Sequence, residues 1–204
     1  MTARVALVTA AAGGIGAATV RRFVRQGMKV AALDIDGEGL AALPEGVMTR
    51  IVDGTDAEAM IAALSDVEAE LGPVDILFNN LGQSAREKGS HFDISEESTW
   101  RFVLEISLLS AMRTARAAVP GMKARGWGRI VNMSSDAALA GDAGLADYAA
   151  AKMGVIGFTR ALAREVAPHG VTVNAVAPGA IRTRAHDTLD PEVLERIKTA
   201  TPAG

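Results

Sequence analysis

Cysteine is absent from this sequence of 204 residues. A chain without thiols forms no disulfide, offers no thiolate to a metal ion and has no cysteine nucleophile, a composition that suits a reducing cytoplasm. Histidine is also scarce, and the three histidines, His91, His169 and His186, have no partner at the spacing of metal ligands. We therefore predict a cytoplasmic protein with no metal site.

The sequence also lacks a strong excess of charge and a long hydrophobic segment. Its formal net charge is −3, its isoelectric point is near 5.7, and no run of lysine or arginine stands out. This balance disfavours nucleic-acid binding. The apolar N-terminal stretch is broken by Gly13, Gly14 and Gly16 and no stop-transfer segment follows, so we predict a soluble, unprocessed chain with no membrane partner.

Strand and helix patterns alternate along the chain. Hydrophobic residues make up 49% of the sequence and charged residues 22%, which suits one globular domain over residues 1–204. The alternation predicts an α/β fold with a doubly wound parallel sheet in three layers, and ligands at the carboxyl ends of the strands. The predicted strands are Val5–Val8, Lys29–Leu33, Met48–Val52, Val74–Phe78, Gly128–Met133 and Val171–Val176.

Two long helical patterns are predicted in the second half of the chain, one over 96–125 and one over 146–166. Ser95 is the expected N-cap of the first, and Pro120 is expected to interrupt it. Earlier in the chain, the segment 55–58 has the pattern of a capping box that opens a helix.

A glycine-rich turn, TAAAGGIG, lies between the first predicted strand and the helix after it, from Thr9 to Gly16. Glycines let the backbone approach a pyrophosphate, and the start of the helix presents N–H groups and the positive end of its dipole. A tight turn with no ligand is the alternative. The position of the turn, directly after a buried-type strand, raises the expectation of nucleotide binding.

Asp34 ends the second predicted strand, about 20 residues after the glycine turn. A carboxylate there would accept hydrogen bonds from the adenosine ribose hydroxyls and repel a 2′-phosphate. Because no lysine or arginine lies between Thr9 and Gly16 to offset that charge, we expect NAD to be preferred over NADP. The alternative for Asp34 is a solvated turn residue. Asp53, at the end of the third strand, is placed to reach the adenine amino group.

The fourth predicted strand ends in Asn79, Asn80, Leu81 and Gly82. The two amides are expected to tie neighbouring strands together, and Gly82 is expected to leave room for a cofactor. The polar segment 83–95 that follows is expected to form a loop on the same side, where it would touch the substrate.

Tyr148 and Lys152 are four residues apart on the last predicted helix, so both side chains lie on one face. A tyrosine with a pKa of about 10 is a poor base, but a neighbouring ammonium favours its phenolate. Ser135 follows the fifth strand and can hydrogen-bond the same substrate oxygen. An ordinary surface pair is the alternative for the tyrosine and the lysine.

These motifs together resemble the short-chain dehydrogenase/reductase family, in order and spacing, over nearly the whole chain. The motifs are the turn 9–16, Asp34, the segment 79–82, Ser135, Tyr148 with Lys152, and the segment PGAIRT at 178–183. The resemblance implies a Rossmann-type domain that binds a nicotinamide dinucleotide.

The resemblance also implies residue roles. Tyr148 would be the acid/base, Lys152 would hold the nicotinamide ribose and lower the tyrosine pKa, and Ser135 would orient the substrate oxygen. Thr183 would hydrogen-bond the carboxamide. The predicted cofactor-binding set, with Tyr148 and Lys152 included, is completed by Thr9, Gly13, Ile15, Gly16, Asp34, Asp53, Asn79, Gly82, Pro178, Gly179, Ile181 and Thr183.

Three positions depart from the family pattern. Ala10 replaces the first glycine of the turn, which alanine can do if its φ is negative. Leu81 replaces the usual alanine and is bulkier beside the adenosine. Ser107, a fourth catalytic candidate, replaces an asparagine that holds a water in the proton relay to the lysine, and serine is shorter and has no amide.

Family members continue past the point where this sequence ends, with a further helix, a seventh strand and a tail. Because an unpaired sixth strand would expose an apolar edge, we expect the functional polypeptide to be longer by about 40 residues. Small residues on the helix 146–166 and the habit of the family favour a homodimer or homotetramer through the helices 96–125 and 146–166. Packing within one subunit is the alternative.

The leading functional prediction is an NAD(H)-dependent oxidoreductase that interconverts a small secondary alcohol and a ketone. A 3-oxoacyl-thioester (acyl-carrier-protein) reductase is the alternative within this class, and Asp34 argues against its usual NADPH preference. A non-catalytic dinucleotide-binding regulatory protein is the alternative of another class. It is suggested by Ser107 and disfavoured by the combination of Ser135, Tyr148 and Lys152.

Overall fold

The computed structural model describes residues 3–85 and 91–183, together with Glu192, Glu195, Lys198 and Thr199. In these ranges the strands are Val5–Thr9 (β1), Lys29–Asp34 (β2), Met48–Ile51 (β3), Ile76–Asn79 (β4), Gly128–Met133 (β5) and Val171–Val176 (β6). They form one parallel sheet in the order β3-β2-β1-β4-β5-β6. The order reverses between β1 and β4, which opens a crevice at the carboxyl ends of these strands.

Helices cover both faces of the sheet. They are Gly14–Arg25 (α1), Gly37–Ala41 (α2), Ala57–Leu71 (α3), Glu97–Leu104 (α4), Ser110–Ala124 (α5), Ala137–Ala140 (α6) and Ala146–Val166 (α7), with 3₁₀ turns at Phe92–Ile94 and Ala167–His169. One hydrophobic cluster packs α3, α5 and α7 against one face, around Leu7, Leu77 and Ile130. The other packs α1 and α2 against the opposite face, around Val8 and Val30. This confirms the predicted doubly wound α/β fold.

The helix predicted over 96–125 is interrupted in the structure, but at a different place from the predicted one. It begins at Glu97 and continues through Pro120 to the end of α5. Pro120 is tolerated at an exposed position, four residues after the equally exposed Arg116, so the carbonyl that loses its N–H partner lies on the solvent side of the helix. The regular pattern is interrupted instead by a π-helical turn, Glu105–Leu109, between α4 and α5.

The predicted caps are wrong by one residue in each case. Asp56, not Thr55, caps α3, because its carboxylate accepts hydrogen bonds from the backbone N–H groups of Glu58 and Ala59 at 3.0 Å each. Ser95 does not cap α4 either, since its hydroxyl oxygen accepts a hydrogen bond from the Trp100 indole at 2.8 Å.

The strand β6 lies at an edge of the sheet within the described ranges. Val171 and Val173 are buried, whereas Val176 is 49% exposed, so burial on both faces is not found along the whole strand. In the part of the chain that the structure describes, no helix is both long enough and apolar enough to cross a membrane.

Candidate active site

The glycine turn connects β1 to α1 at the carboxyl edge of the sheet. Gly13 is the N-cap of α1, and neither a side-chain cap nor an acidic residue occupies the first turn of the helix. A Cβ on Gly16 would collide with the carbonyl oxygen of Ala10, so only glycine fits there. The start of α1 therefore presents main-chain N–H groups to an anion.

Ala10 adopts a φ of +48°, which lies in the left-handed region that disfavours residues with a Cβ. The condition under which alanine replaces glycine without strain, a negative φ, is therefore not met. The turn keeps its shape because it is held from both sides. The Asn80 amide donates to the Ala10 carbonyl at 3.1 Å, and the Ala11 N–H donates to the Leu33 carbonyl at 3.1 Å.

Asp34 is fixed against the glycine turn rather than loosely solvated. Its Oδ2 accepts a hydrogen bond from the backbone N–H of Ala12 at 2.9 Å, and its Oδ1 accepts one from the N–H of Asp36 at 3.0 Å. These two bonds hold a half-buried carboxylate at the end of β2, next to the turn that would hold a pyrophosphate. Each oxygen retains a lone pair for a further donor.

Asp53 is exposed after β3, and its Oδ1 accepts hydrogen bonds from the N–H and the hydroxyl of Thr55, both at 2.8 Å. These bonds lower the pKa of the Asp53 carboxyl below its usual value. Close by, Leu81 packs where Gly54 has no side chain, since a Cβ on Gly54 would lie 2.7 Å from Leu81 Cδ1. The space beside Gly54, which has no side chain, accommodates the bulk of Leu81.

Polar side chains at the end of β4 join it to its neighbours. Thr9 is buried at the end of β1, and its Oγ1 accepts hydrogen bonds from the N–H groups of Asn80 at 3.0 Å and Leu81 at 3.3 Å. The buried Asn79 donates to Asn132 Oδ1 on β5 at 2.9 Å. The Asn79 amide thus ties β4 to β5, and the Asn80 amide ties it to the residue after β1 through the Ala10 carbonyl, as expected from the sequence.

Lys152 is 1% exposed, on the face of α7 that covers the carboxyl ends of the strands. Its Nζ donates to the carbonyl oxygens of Met133 at 2.9 Å and Leu81 at 3.3 Å, and lies 5.7 Å from the centre of the Tyr148 ring. Burial lowers the pKa of Lys152 from 10.5 to about 8. A Cβ on Gly82 would collide with this ammonium, so Gly82 makes room for the lysine itself.

Ser107 lies in the π-helical turn, buried beside Gly82 and Lys152. Its hydroxyl oxygen accepts a hydrogen bond from the N–H of Gln83 at 3.2 Å and lies 3.3 Å from the Gln83 carbonyl oxygen, to which it donates. One hydroxyl therefore satisfies both main-chain groups of Gln83. Leu81, two residues before Gln83, supplies one of the two carbonyls that hold the lysine. π-Helical turns are frequent at functional sites, and no signal in the sequence predicted this one.

Ser135 follows β5 and carries a hydroxyl that donates to Asp136 Oδ1 at 3.2 Å and accepts from the N–H of Ala137 at 3.3 Å. Sequence reasoning did not single out Asp136. The preceding Ser134 is buried and donates to the Lys152 carbonyl at 2.8 Å, which fixes α7 against β5.

The segment after β6 returns to the same edge. The Pro178 carbonyl accepts a hydrogen bond from the N–H of Asp136 at 3.0 Å, and the Thr183 methyl carbon lies 2.8 Å from where a Cβ of Gly14 would be. A groove of about 460 Å³ separates α1 from this segment, lined by Gly14, Ile15, Ala18, Thr19, Arg22, Ile181, Arg182 and Thr183. Within the described ranges, no three acidic or histidine side chains converge as metal ligands would.

The glycine turn, the anchored Asp34 carboxylate and the buried lysine beside a tyrosine all lie at the carboxyl edge of one parallel sheet. An uncapped helix start and a turn with no room for a Cβ fit a nicotinamide dinucleotide. The fold and the site thus define a dinucleotide-binding α/β protein. The family model for short chain dehydrogenase matches residues 4–193, and the chain belongs to this family.

Several characterised proteins are similar over most of their length. Acetoacetyl-CoA reductase of Shinella zoogloeoides is 40% identical over 98% of this chain and 84% of its own. The 3-oxoacyl-[acyl-carrier-protein] reductase of Vibrio cholerae is 38% identical over 98% and 83%. The crystal structure of levodione reductase aligns with a TM-score of 0.88 and 31% identity over 95% and 80%. The chain is accordingly an NAD(P)-dependent oxidoreductase that acts on alcohol and keto groups.

Proposed function

We propose that this protein is an NAD(H)-dependent oxidoreductase that interconverts a secondary alcohol and a ketone, with Tyr148 as the acid/base. The observation that carries the proposal is the Lys152 ammonium, buried and fixed by two carbonyls, 5.7 Å from the Tyr148 ring. When bound, the nicotinamide ring accepts hydride from the carbinol carbon or returns it to the carbonyl carbon.

In alcohol oxidation, the Tyr148 oxygen takes the proton of the substrate hydroxyl as hydride leaves the carbinol carbon and the C=O bond forms. In ketone reduction the same oxygen returns the proton. Lys152 carries a positive charge below its pKa of about 8, and that charge favours negative charge on the tyrosine oxygen. The Ser135 hydroxyl, held by Asp136 and Ala137, orients the substrate oxygen, and Ser107 keeps the loop at Gln83 against the lysine.

Asp34 supports NAD over NADP. Its carboxylate is held at the end of β2 by Ala12 and Asp36, next to the turn where a pyrophosphate would bind. In that position it accepts ribose hydroxyls and repels a 2′-phosphate. The proposed cofactor contacts along the rest of the site come from Thr9, Gly13, Ile15, Gly16, Asp53, Asn79, Gly82, Pro178, Gly179, Ile181 and Thr183.

We also propose a cytoplasmic homo-oligomer in which residues 1–204 belong to one domain, with the faces of α4–α5 and α7 as the interface. Phe102, Met112 and Met153 are each about 40% exposed on these helices. Gly154 packs against Leu108 within the subunit, whereas no neighbouring atom of the described residues lies within 4 Å of a Cβ placed on Gly157. The small residues of α7 therefore serve internal packing at one position and leave an outward face at another.

A 3-oxoacyl-thioester reductase is the second candidate, favoured by the activity for which the Vibrio cholerae relative is named. The carboxylate at Asp34 weighs against it where NADPH is the reductant. The non-catalytic alternative is weaker, because a protein that only binds a dinucleotide has no need of Ser135, Tyr148 and Lys152 together.

The experiment is a turnover screen of small secondary alcohols and ketones with NAD(H) and NADP(H) in parallel. We expect higher kcat/KM with NAD(H), and Tyr148→Phe should reduce turnover by about 10³-fold or more while the NADH dissociation constant changes only a few-fold. Substantial activity in Tyr148→Phe would rule out the mechanism. Equal or better use of NADPH would rule out the role of Asp34.

A further inference from the structure

The carboxylate of Asp136 lies between the Ser135 hydroxyl and the turn that follows β6. Its Oδ1 accepts the serine hydroxyl at 3.2 Å, and its Oδ2 lies 3.2 Å from where a Cβ of Gly179 would be. Both neighbours lie at the carboxyl edge of the sheet, and Ser135 is the residue that would contact the reacting oxygen. The Asp136 carboxylate is therefore linked to that oxygen through the Ser135 hydroxyl.

A purely structural role does not account for this placement. Asp136 occupies the N-cap position of α6, but its side chain makes no capping hydrogen bond there. In the part of the chain that the structure describes, no lysine or arginine forms a salt bridge with it. Its main chain, in contrast, is fixed, because its N–H donates to Pro178 and its carbonyl accepts from Leu139 and Ala140. The backbone holds an exposed, unneutralised carboxylate beside the serine.

An ionised carboxylate accepts hydrogen bonds and donates none. Next to the reacting carbon it favours a substrate group that donates, and a charged donor is favoured most. A carboxylate on the substrate would be repelled. A thioester carbonyl would bring one acceptor against another and leave both without a donor.

We propose that Asp136 selects alcohols and ketones that carry a hydroxyl or ammonium group on the carbon next to the reacting carbon. The proposal rests on the proposed oxidoreductase function and narrows its substrate class. It also separates this protein from a reductase of 3-oxoacyl thioesters, whose substrate presents an acceptor near the reacting carbon.

The test uses four secondary alcohols that differ in the group attached to the carbinol carbon. They are 1-amino-2-propanol, 1,2-propanediol, 2-butanol and lactate, which carry an ammonium, a hydroxyl, a methyl and a carboxylate group in that order. Their kcat/KM values are compared with NAD⁺ at pH 7.5. We expect that order of preference, with the ammonium substrate favoured over 2-butanol by roughly tenfold or more. In Asp136→Asn the differences in kcat/KM among the four alcohols should become smaller, and kcat/KM for lactate should rise relative to that for 1-amino-2-propanol.

Asp142→Asn is the matched control, because Asp142 is an exposed acid on the same connection and is not among the hydrogen-bond partners of Ser135 in the described residues. It should keep the wild-type order. An absence of preference in the wild type, or the same preference in Asp136→Asn, would overturn the proposal.

Failure of the proposed function gives a different result. If the wild type oxidises none of the four alcohols, or if Tyr148→Phe oxidises the best of them equally well, the oxidoreductase mechanism fails. Ligand-observed NMR with NADH then tests Asp136 without turnover. Binding of 1-amino-2-propanol that is lost in Asp136→Asn supports the selection, and binding that is absent or unchanged overturns it.

Discussion

At the scale of single residues, the site depends on a lysine in an environment that disfavours its charge. Lys152 is buried, and its ammonium is compensated by two main-chain carbonyls, of Met133 and Leu81, rather than by a carboxylate. Neutral acceptors hold the charge without cancelling it. This arrangement leaves the field of the ammonium available to Tyr148 and to a bound cofactor.

The buried charge predicts a pH-dependent stability. Because the pKa of Lys152 is lowered to about 8 in the folded protein, the unfolded chain binds more protons between pH 8 and 10.5, and the free energy of unfolding rises with pH there. From pH 7 to pH 9 the free energy of unfolding of the wild type should rise by about 1.3 kcal/mol more than that of Lys152→Met. Urea unfolding of both proteins at both pH values measures it, and a constant difference between them would contradict the lowered pKa.

Among the described residues, two alanines have a positive φ, Ala85 and Ala10, and Ala10 lies in the glycine turn. Since its φ of +48° disfavours alanine but suits glycine, Ala10→Gly should stabilise the protein by about 0.5–1 kcal/mol, after allowance for the freedom that glycine gains in the unfolded chain. Urea unfolding measures it. Ala12→Gly is the control in the same turn, where φ is not positive, and should destabilise. A loss of stability in Ala10→Gly would show that the turn is not strained.

At the scale of elements, the π-helical turn Glu105–Leu109 decides how the long helix serves the site. The turn places Ser107 against the main chain of Gln83. Glu105, the first residue of the turn, forms an ion pair with Arg113 on α5. The pattern of apolar residues along 96–125 predicted an uninterrupted regular helix at this point, because a π turn changes the register by one residue and leaves little trace in composition.

Ser107→Ala should disturb this element more than the loss of one hydroxyl suggests. It removes the hydroxyl that serves both main-chain groups of Gln83, and because Gln83 is exposed and water can replace the hydroxyl, the loss of stability should be about 0.5–1.5 kcal/mol. It also loosens the loop that holds Lys152, so kcat should fall about tenfold or more. Ser110→Ala is the control, because the Ser110 hydroxyl donates to the Ile106 carbonyl within the same helix. Similar losses in the two variants would show that Ser107 has no special role.

At the scale of the whole molecule, the outward faces of α4–α5 and α7 bear on assembly. Gly157→Leu should be tolerated within the subunit, because no neighbouring atom in the described part of the chain lies within 4 Å of the new Cβ. It should nevertheless block close packing with a second copy. Light scattering after size exclusion should show the oligomer shifted toward monomer. Arg21→Leu on α1 is the control outside these faces and should keep the wild-type mass. An unchanged mass in Gly157→Leu, or a monomeric wild type, would contradict the proposed interface.

The sequence alone determined the order of strands and helices, the parallel sheet and most of the candidate site. Apolar segments of strand length separated by helical patterns leave little choice of fold class, and glycines, Asp34 and the Tyr148–Lys152 pair lie at strand ends or at helical spacing, where position in sequence dictates position in space. These features depend on local chemistry. The amino-acid sequence by itself therefore suffices to predict the fold class and the positions of these residues.

Only the tertiary structure decided how those residues act on one another. The burial of Lys152, the strain at Ala10, the contact of Ser107 with Gln83 and the carboxylate of Asp136 beside Ser135 depend on packing between elements. The backbone path sets which side chains meet and whether water reaches them, and charge, strain and hydrogen bonding change with both. A residue pattern records which groups are present, whereas their energies depend on their neighbours in space.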